Sequence, residues 1–476
     1  MKSRPALHHS SSRNVSSFFA LATVVLILTT GVTPGMAQSN SNPADSWVRA
    51  GDRGQQRIEH QAVTLKHGKV LVMGGYDVEA LDILFGNGQG RALDSAEIYD
   101  PESDTWSPAA RMPQPAGFQW AAVLKNGQVL IAGNLNPITG NAGTFSAIYD
   151  PEDDRWFQTD PLPIGVANPH AYMRAVVLKD GRVLITENDL GLIFTPNRSN
   201  AANGTWDYTR SRVTGAVTRL HKARVTAALA RLKDGRVLHL GGIEHADPSS
   251  PLGPEQSSAA ADLFDPATGE WIALPDMPAI PGERGDDINT VNPGGRWAPI
   301  AETLPDGRVL VAGGLAFGTD GTNFFIGRRS SALLFDPQKL NNPWTIITPM
   351  IHRRWFSRSA TLDEEGRVLV AGGGFDPTTS EIFDPESGAW SPAASFPSID
   401  AFGSQLNRTG EELLLTGGYD YEISPPSGVP QLGSVKSFVS VQGDPSEADG
   451  SEKKPESRDE FQELVRRARK LTVRRK

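Results

Sequence analysis

Cysteine is absent from this chain of 476 residues. Its absence excludes disulfides, thiolate metal ligands and a lipid attached to a cysteine behind a signal sequence. Long apolar runs are scarce as well. The run at 18–32 is about fifteen residues long, whereas a bilayer span needs about 20. A protein without these supports has to be stabilised by its hydrophobic core, which a closed fold of this size can provide.

The first 37 residues have the composition of an export signal. Lys2, Arg4 and Arg13 give a positively charged start, and the apolar run follows it. Gly35 and Ala37 then supply small residues where a signal peptidase needs them. These features predict cleavage after Ala37 and a secreted or periplasmic protein. An uncleaved membrane anchor is the alternative.

Positive charge is in short supply. The formal net charge is −9, and removal of the three bases in residues 1–37 leaves −12. An acidic protein is a poor match for a polyanion, so nucleic acid is excluded as a partner of the main body. Gly (48) and Pro (35) are plentiful instead. Such residues suit the frequent turns of an all-β protein.

One phrase of sequence recurs over residues 45–442. It consists of an apolar strand, a Gly turn, a second strand ending in Gly-Gly, a loop, and a third strand ending in Asp-Pro with a Trp after it. Successive copies are 45 to 72 residues apart. The second strands are VLVMGG (70–75), VLIAGN (129–134), VLITEN (183–188), VLHLGG (237–242), VLVAGG (309–314), VLVAGG (368–373) and LLLTGG (413–418).

These units resemble the Kelch repeats of bacterial galactose-oxidase-like propellers, whose usual period is about 50 residues. The resemblance implies an all-β, seven-bladed Kelch-type β-propeller. The physics agrees, because a lone four-stranded blade cannot bury both of its faces, whereas a ring of blades buries them between neighbours. The resemblance says less about function, since propellers host many unrelated activities.

The spacing of the tryptophans predicts how the ring closes. Trp47 lies eighteen residues ahead of Leu65, the same interval that separates Trp106 from Leu124. We therefore expect the segment around Trp47 to be the fourth strand of the last blade. It would join C-terminal strands near residues 402–406, 411–417 and 434–442. Six blades with a loose N-terminal segment are the alternative.

The resulting division is a signal peptide at 1–37, a propeller at 38–445 and a tail at 446–476. The tail begins with a charged linker and ends in a basic stretch whose apolar residues recur at helical spacing. A solvated, partly helical tail is one interpretation. Attachment to an anionic envelope surface through the basic residues is the other.

Loops on one rim of the propeller are the expected binding surface. The segments before each first strand and after each second strand should share that rim, and long loops on a rigid scaffold are where binding usually resides. Three tryptophans outside the repeat fall at or just before first strands: Trp120, Trp297 and Trp355. Such residues stack on sugars or anchor partners; alternatively, they plug the channel. The long second-to-third loops are 76–95, 243–260, 315–331 and 419–434.

Departures from the repeat mark further candidates. Glu302 stands in blade 5 where other first strands carry Val, Ala or, in the last copy, Ser404, and Glu187 replaces a Gly of the Gly-Gly pair. A carboxylate on an apolar strand must be paired or protonated. The two glutamates are therefore candidate catalytic residues, and a structural ion pair between blades is the alternative. His239, on an apolar strand, is expected to be a core histidine.

Aromatic and basic residues near first strands complete the predicted ligand-binding set. Its members are Trp120, Tyr172, Arg174, Trp297, His352, Arg354, Trp355 and Arg358. Carboxylates together with guanidinium groups are what acid–base chemistry on a sugar or a carbonyl substrate needs.

The stretch at 352–358 resembles the Arg-Trp-Tyr segment of galactose and glyoxal oxidases. Those copper enzymes need a Tyr–Cys crosslink, which a chain without cysteine cannot form, so oxidase activity is excluded and no metal or other cofactor is predicted. The pattern of Kelch blades with Glu and Arg near the axis also resembles that of bacterial sialic-acid epimerases.

The leading expectation is an exported, monomeric module that binds a protein or carbohydrate ligand through the long-loop rim. The competing expectation is a carbohydrate-active enzyme, such as an epimerase, lyase or hydrolase, centred on Glu302 or Glu187 with nearby arginines. An envelope-associated structural protein is the third.

Overall fold

The computed structural model describes most of the repeat region. The described residues are 46–51, 54, 55, 57, 59–77, 92–135, 144–163, 174–197, 203–245, 255–281, 283, 293–319, 324–373, 379–395, 404–410, 412–417 and 438–441. The predicted signal peptide, the predicted tail and Tyr172 lie outside these ranges.

Within the described ranges the chain forms strands and turns and contains no α-helix. The strands are β1 (Ser46–Arg49), β2 (Gln61–Thr64), β3 (Val70–Met73), β4 (Ala96–Asp100), β5 (Thr105–Ala109), β6 (Ala116–Val123), β7 (Val129–Leu135), β8 (Thr144–Asp150), β9 (Arg155–Gln158), β10 (Ala175–Val177), β11 (Val183–Glu187), β12 (Leu190–Pro196), β13 (Gly204–Tyr208), β14 (Ala228–Arg231), β15 (Val237–Leu240), β16 (Ile243–His245), β17 (Glu255–Ser257), β18 (Ala261–Asp265), β19 (Glu270–Leu274), β20 (Ile300–Thr303), β21 (Val309–Ala312), β22 (Leu315–Thr319), β23 (Phe324–Arg328), β24 (Ala332–Phe335), β25 (Trp344–Ile347), β26 (Arg358–Thr361), β27 (Val368–Ala371), β28 (Ser380–Asp384), β29 (Ala389–Ala393), β30 (Gln405–Thr409), β31 (Glu412–Thr416) and β32 (Phe438–Val441).

Six blades are built from continuous sequence. Each is a four-stranded antiparallel sheet, and in chain order they are β2–β5, β6–β9, β10–β13, β14-β15-β18-β19, β20-β21-β24-β25 and β26–β29. A further four-stranded sheet has the order β1-β32-β31-β30 and so contains both the first and the last of these strands. We call it the mixed sheet. Two hairpins, β16–β17 and β22–β23, extend the loops of blades 4 and 5. The prediction of an all-β β-propeller is confirmed.

The second strand of each blade is its most buried element. All four residues of β3, β21 and β27 are buried, in keeping with their continuous apolar sequence. The Gly-Gly pair that follows is required by geometry. Gly313 has φ 68°, and a Cβ there would lie 2.6 Å from the carbonyl oxygen of Arg354 in the next blade. The glycines thus allow one blade to approach the next closely.

The repeated tryptophans join neighbouring blades. The Trp on each fourth strand packs on a third-strand aromatic in the same blade, as in Phe383–Trp390 with ring centroids 5.0 Å apart. In blades 2 to 6 its indole Nε1–H also donates to the preceding blade: Trp390 donates to the Thr348 carbonyl at 3.0 Å, and Trp156 to that of Ala110 at 2.8 Å. These five blades are therefore each hydrogen-bonded to the blade before them.

The mixed sheet pairs the predicted partners. Trp47 lies opposite Ser440 in the register of β1 with β32.

The predicted alignment of the last first strand was wrong. The register of β30 aligns Gln405 with Thr416, just as Ile300 aligns with Ala312 in blade 5. The residue equivalent to Glu302 is therefore Asn407 and not Ser404. The error arose because the last copy has Thr409 where the other first strands end in Leu.

No helix of the described residues is both long and apolar enough to cross a membrane.

Candidate functional site

The segments that lead into the first strands share an unusual backbone turn. In four blades the residue two positions before the first strand has a positive φ although it is not glycine: Glu59 (50°), Thr226 (58°), Ala298 (51°) and Phe356 (52°). This region of backbone space is sparsely populated by such residues and costs about 1–3 kcal/mol where it occurs. Strain of this kind clusters at functional sites.

A buried arginine stands two residues before each of these turns. The four are Arg57, Arg224, Arg296 and Arg354, all at most 2% exposed. Arg354 shows their role. Its Nη1 donates to the carbonyls of Gly372 at 2.7 Å and Thr379 at 3.0 Å, and its Nε donates to Glu381 at 2.6 Å. We call these four residues the clasp arginines, because each holds the end of a second strand to the start of a third.

The acidic partner of the clasp recurs as well. Arg57 pairs with Glu97 at 3.0 Å and Arg224 with Asp262 at 2.5 Å, at the same third-strand position as Glu381. His239 lies beside the Arg224 clasp, fully buried, with its Nδ1 2.8 Å from the Arg224 guanidinium. Burial lowers the pKa of His239 well below its ordinary value, so it is a neutral core histidine, as predicted.

The clasp corrects part of the predicted ligand-binding set. Arg354 is 0% exposed, and its guanidinium is engaged by protein acceptors, so it cannot reach a ligand. His352 is half-buried, and its backbone N–H faces Glu381 at 3.4 Å.

A cavity of about 170 Å³ lies among the starts of the first strands, well above the roughly 10–15 Å³ that one water requires. All six blades and the mixed sheet contribute to its wall. The lining residues are Glu59, Gln61, Trp120, Ala121, Arg174, Ala175, Thr226, Ala227, Ala228, Trp297, Ala298, Pro299, Phe356, Arg358 and Gln405. We call it the mouth cavity, since its wall draws on the whole ring of first strands.

Arg174 is the most available charge in the mouth cavity. Its side chain is exposed, yet the surrounding blades enclose the solvent that it faces. This enclosure, followed by repulsion from Arg358, lowers its pKa to about 10, against an opposing attraction from Glu302. Arg174 therefore stays charged at neutral pH. Unlike the clasp arginines, it has no hydrogen-bonded or ion-paired partner among the described residues.

Arg358 and Glu59 form the second charged part of the cavity. Arg358 is half-buried and donates from Nε to the Ser404 carbonyl at 2.6 Å. Glu59 is 9% exposed. Burial raises its pKa to about 7, although the positive charge of Arg358 acts in the opposite direction. Glu59 thus changes its ionisation state near neutral pH.

Glu302 lies on β20, the first strand of blade 5, and is not among the residues that line the mouth cavity. It is half-buried and accepts a hydrogen bond from the Ser359 hydroxyl of the next blade at 2.6 Å. Burial raises its pKa, while the Ser359 hydrogen bond and Arg174 act to lower it. Its basic neighbour is therefore Arg174, from across the ring. The other candidate, Glu187, ends β11 and does not line the mouth cavity; burial raises its pKa to about 7.

Two of the three extra tryptophans line the cavity. Trp120 is only 2% exposed and Trp297 is half-buried, and neither indole Nε1–H has an acceptor among the described residues. Trp355 instead packs against Phe356 and Trp297, with ring centroids 5.1 and 6.1 Å apart. This aromatic group continues into Phe317 of hairpin β22–β23, 5.7 Å from Trp297.

Sequence reasoning thus found Trp120, Arg174, Trp297 and Arg358, which the structure brings to one cavity. It missed Glu59, Gln61 and Gln405. Their signal was positional: Gln61, Arg358 and Gln405 occupy equivalent first positions of first strands. In the described part of the chain, no group of three or more His, Asp or Glu side chains is arranged to hold a metal ion.

Four-stranded antiparallel sheets whose first strands begin around one cavity are the architecture of a β-propeller. Residues 60–113 match the family model of the Kelch motif, and the sheet topology of the described residues is that of a β-propeller. The chain is similar to a solved fungal alcohol oxidase of the AA5 family in complex with copper, at 14% identity and a TM-score of 0.55, over 83% of this chain and 75% of that one. At this identity the likeness shows the fold alone.

A second solved structure, that of YjhT, aligns at 14% identity and a TM-score of 0.46, over 72% of this chain and 99% of that one. A search of curated proteins gives no match.

Proposed function

We propose that this chain is an exported ligand-binding propeller that holds a small molecule in the mouth cavity, on the long-loop rim. The observation that carries the proposal is Arg174. It is a charged guanidinium without a protein partner among the described residues, and it lies in an enclosed cavity beside Arg358. Polar groups in enclosed sites are normally satisfied, and concave sites with a few convergent polar groups are where ligands bind.

A ligand screen tests the proposal. The purified protein is heated with a panel of neutral, anionic and cationic sugars, amino acids and aromatic compounds, and a native-state ligand raises the melting temperature. We expect at least one compound to do so and the shift to disappear in Trp297→Ala, which alters the cavity wall. A panel that leaves the melting temperature unchanged, or shifts that persist in this variant, would contradict a site at the mouth.

An enzyme acting on carbohydrate is the second candidate, and it is supported by the two glutamates in the channel. Burial raises the pKa of both Glu59 and Glu302, and carboxyl groups with raised pKa values serve as general acids or bases near neutral pH. Exchange of sugar protons with deuterium, followed by NMR, tests it. Turnover that is lost in Glu59→Gln or Glu302→Gln favours the enzyme.

We also infer that the mixed sheet acts as a seventh blade that closes the ring. Its support comes from contacts on both sides. Asn407 donates to the Ala62 carbonyl of blade 1 at 3.1 Å, and Trp47 donates to the Ala394 carbonyl of blade 6 at 3.1 Å. If so, Trp47→Ala should cost several kcal/mol, about as much as Trp390→Ala, since Phe or Trp to Ala typically costs 3–5 kcal/mol in a core. A loose N-terminal strand predicts a loss below about 1 kcal/mol.

A further inference from the structure

We propose that the mouth cavity selects ligands that carry a carboxylate, which it holds between Arg174 and Arg358. This inference rests on the proposed function and specifies the chemical class of the ligand.

Hydrogen-bond donors outnumber acceptors among the polar groups of the cavity. Arg174 offers a whole guanidinium that has no hydrogen-bonded partner among the described residues, and its charge interacts with that of Arg358 on the same cavity wall. Donors enclosed by protein need acceptors. A ligand rich in acceptor oxygens supplies them, whereas a cationic ligand would add donors.

The charges of the channel favour a single negative charge on the ligand. Arg174 and Arg358 contribute two positive charges, and Glu302, with Ser359 donating to it, contributes one negative charge when ionised. With Glu59 protonated, the site carries one net positive charge, which one carboxylate neutralises. The planar fork of a guanidinium matches a carboxylate with two parallel hydrogen bonds.

Glu59 makes this binding depend on pH. Two ionisable groups interact with it directly: Arg358 on blade 6 and Tyr76, whose pKa is raised partly by Glu59 itself. Arg174 on blade 3 shares the cavity wall with Glu59, and Glu302 on blade 5 interacts with Arg174. The neighbouring His60 is fully buried and faces the Thr416 hydroxyl at 2.9 Å. Glu59 loses its proton as pH rises through about 7, and the new negative charge opposes an anionic ligand. Affinity should therefore be higher at pH 6 than at pH 8.5.

Matched pairs of probes test the assignment by titration calorimetry. D-glucuronate is compared with D-glucose, and benzoate with benzamide, because each pair differs in the carboxylate. At pH 6 we expect the acid of at least one pair to bind ten times or more tightly than its neutral partner. Arg174→Met should abolish that preference. The control is Arg155→Met, since Arg155 is an exposed arginine on β9, an outer strand of blade 2, and it should leave binding unchanged.

The pH arm uses Glu59→Gln. The wild-type protein should bind the acid several-fold less tightly at pH 8.5 than at pH 6, and the variant should bind it equally at both. Should Glu59→Gln fail to fold, the same pH series on Arg358→Met replaces it, because loss of the Arg358 charge moves the midpoint above pH 7.

The outcomes separate the two proposals. If the neutral probes bind as tightly as the acids or more tightly, and this binding is lost in Trp297→Ala, the ligand-binding function stands but the preference for a carboxylate is overturned. Tighter binding of inorganic phosphate than of either acid also overturns it. If none of the probes binds, the preference for a carboxylate is overturned, and the ligand-binding function is then decided by the wider ligand screen.

Discussion

Two sets of arginines in this propeller are close in sequence but opposite in their surroundings. Arg354 and Arg358 are four residues apart, on either side of the turn at Phe356. The first is fully buried, and carbonyl and carboxylate acceptors surround its guanidinium. The second is half-buried at a cavity wall and faces another arginine, Arg174, whose charge repels it. The same residue type thus serves the blade in one place and the channel in the other.

The difference shows how a repeat protein separates stability from binding. Clasp arginines recur in four blades at one position, each with backbone carbonyls to hold, because every blade has to fix its second strand to its third. The residues of the mouth cavity differ from blade to blade. At the first-strand position that aligns with Ile300 stand Gln61, Trp120, Ala228, Arg358 and Gln405, and Arg174 lies immediately before β10. Residues that recur at one position in several blades have a structural role, whereas the position whose residue changes from blade to blade lines the mouth cavity.

The largest expected effect comes from breaking a clasp. Arg354→Met leaves the carboxylate of Glu381 buried without its partner, and loss of one member of a buried pair typically costs about 3–5 kcal/mol. Arg358→Met should cost less, about 1 kcal/mol, since Arg358 is half-buried and water can replace the hydrogen bond that its Nε donates to the Ser404 carbonyl. Urea unfolding at pH 7 measures both.

A second substitution checks the cause. Glu381→Gln added to Arg354→Met removes the unpaired charge and should recover part of the stability. If Arg354→Met and Arg358→Met lower the free energy of unfolding equally, the distinction between clasp arginines and cavity arginines is wrong.

The next effect in size is the pH dependence of stability from Glu59. Its pKa is about 7 in the folded protein and near 4.5 unfolded, so the folded state binds the extra proton between these values. Stability therefore falls as pH rises through this window. The difference corresponds to at most about 3 kcal/mol, at about 1.4 kcal/mol per pH unit. Glu59→Gln should remove the part of this fall that Glu59 contributes, while Glu187, whose pKa burial also raises to about 7, keeps its own part. Melting temperatures from pH 5 to pH 8.5 measure the difference between wild type and variant.

Glu302→Gln is the comparison for that experiment, because burial raises the pKa of Glu302 as well but the Ser359 hydroxyl opposes the shift. The same pH dependence of stability in wild type and Glu59→Gln would show that Glu59 stays ionised throughout.

The smallest effect is expected from Ser359→Ala. Loss of the hydroxyl that donates to Glu302 at 2.6 Å should cost about 1 kcal/mol, since water in the channel can replace the donor. It should also raise the pKa of Glu302 further, because this hydrogen bond favours the ionised form. NMR titration of the Glu302 carboxyl measures the shift. A lowered pKa would mean that the hydroxyl does not donate to the carboxylate.

Much of the fold could be predicted because its determinants are local and repeated. Apolar runs such as Val309–Ala312, the Gly-Gly pair at 313–314 and the Trp of each fourth strand all lie where the pattern placed them. Register was harder in the last copy. There the final apolar residue of the first strand is replaced by Thr409, and the alignment slipped by three residues.

The site was only partly predictable, because sequence alone does not give the direction of a side chain. Arg354 and Arg358 both precede or begin a strand, yet only the turn at Phe356 sends one into the blade and the other to the channel. Glu59 was missed for a related reason: its carboxylate belongs to a segment outside the repeated strands. Comparing positions counted back from each first strand would have separated the clasp from the cavity.

The tryptophan links between blades also have a direction. Each fourth-strand Trp of blades 2, 3, 4, 5 and 6 donates to a residue of the blade before it in the chain. As the chain is synthesised, every new blade therefore finds its acceptor already made, so assembly can proceed from the N-terminal end without waiting for later sequence. The link from Trp47 has the same direction in space, from the mixed sheet to blade 6, but here the donor precedes its acceptor in the chain. The Trp47 indole is synthesised first and waits for Ala394, which makes that bond one of the last to form.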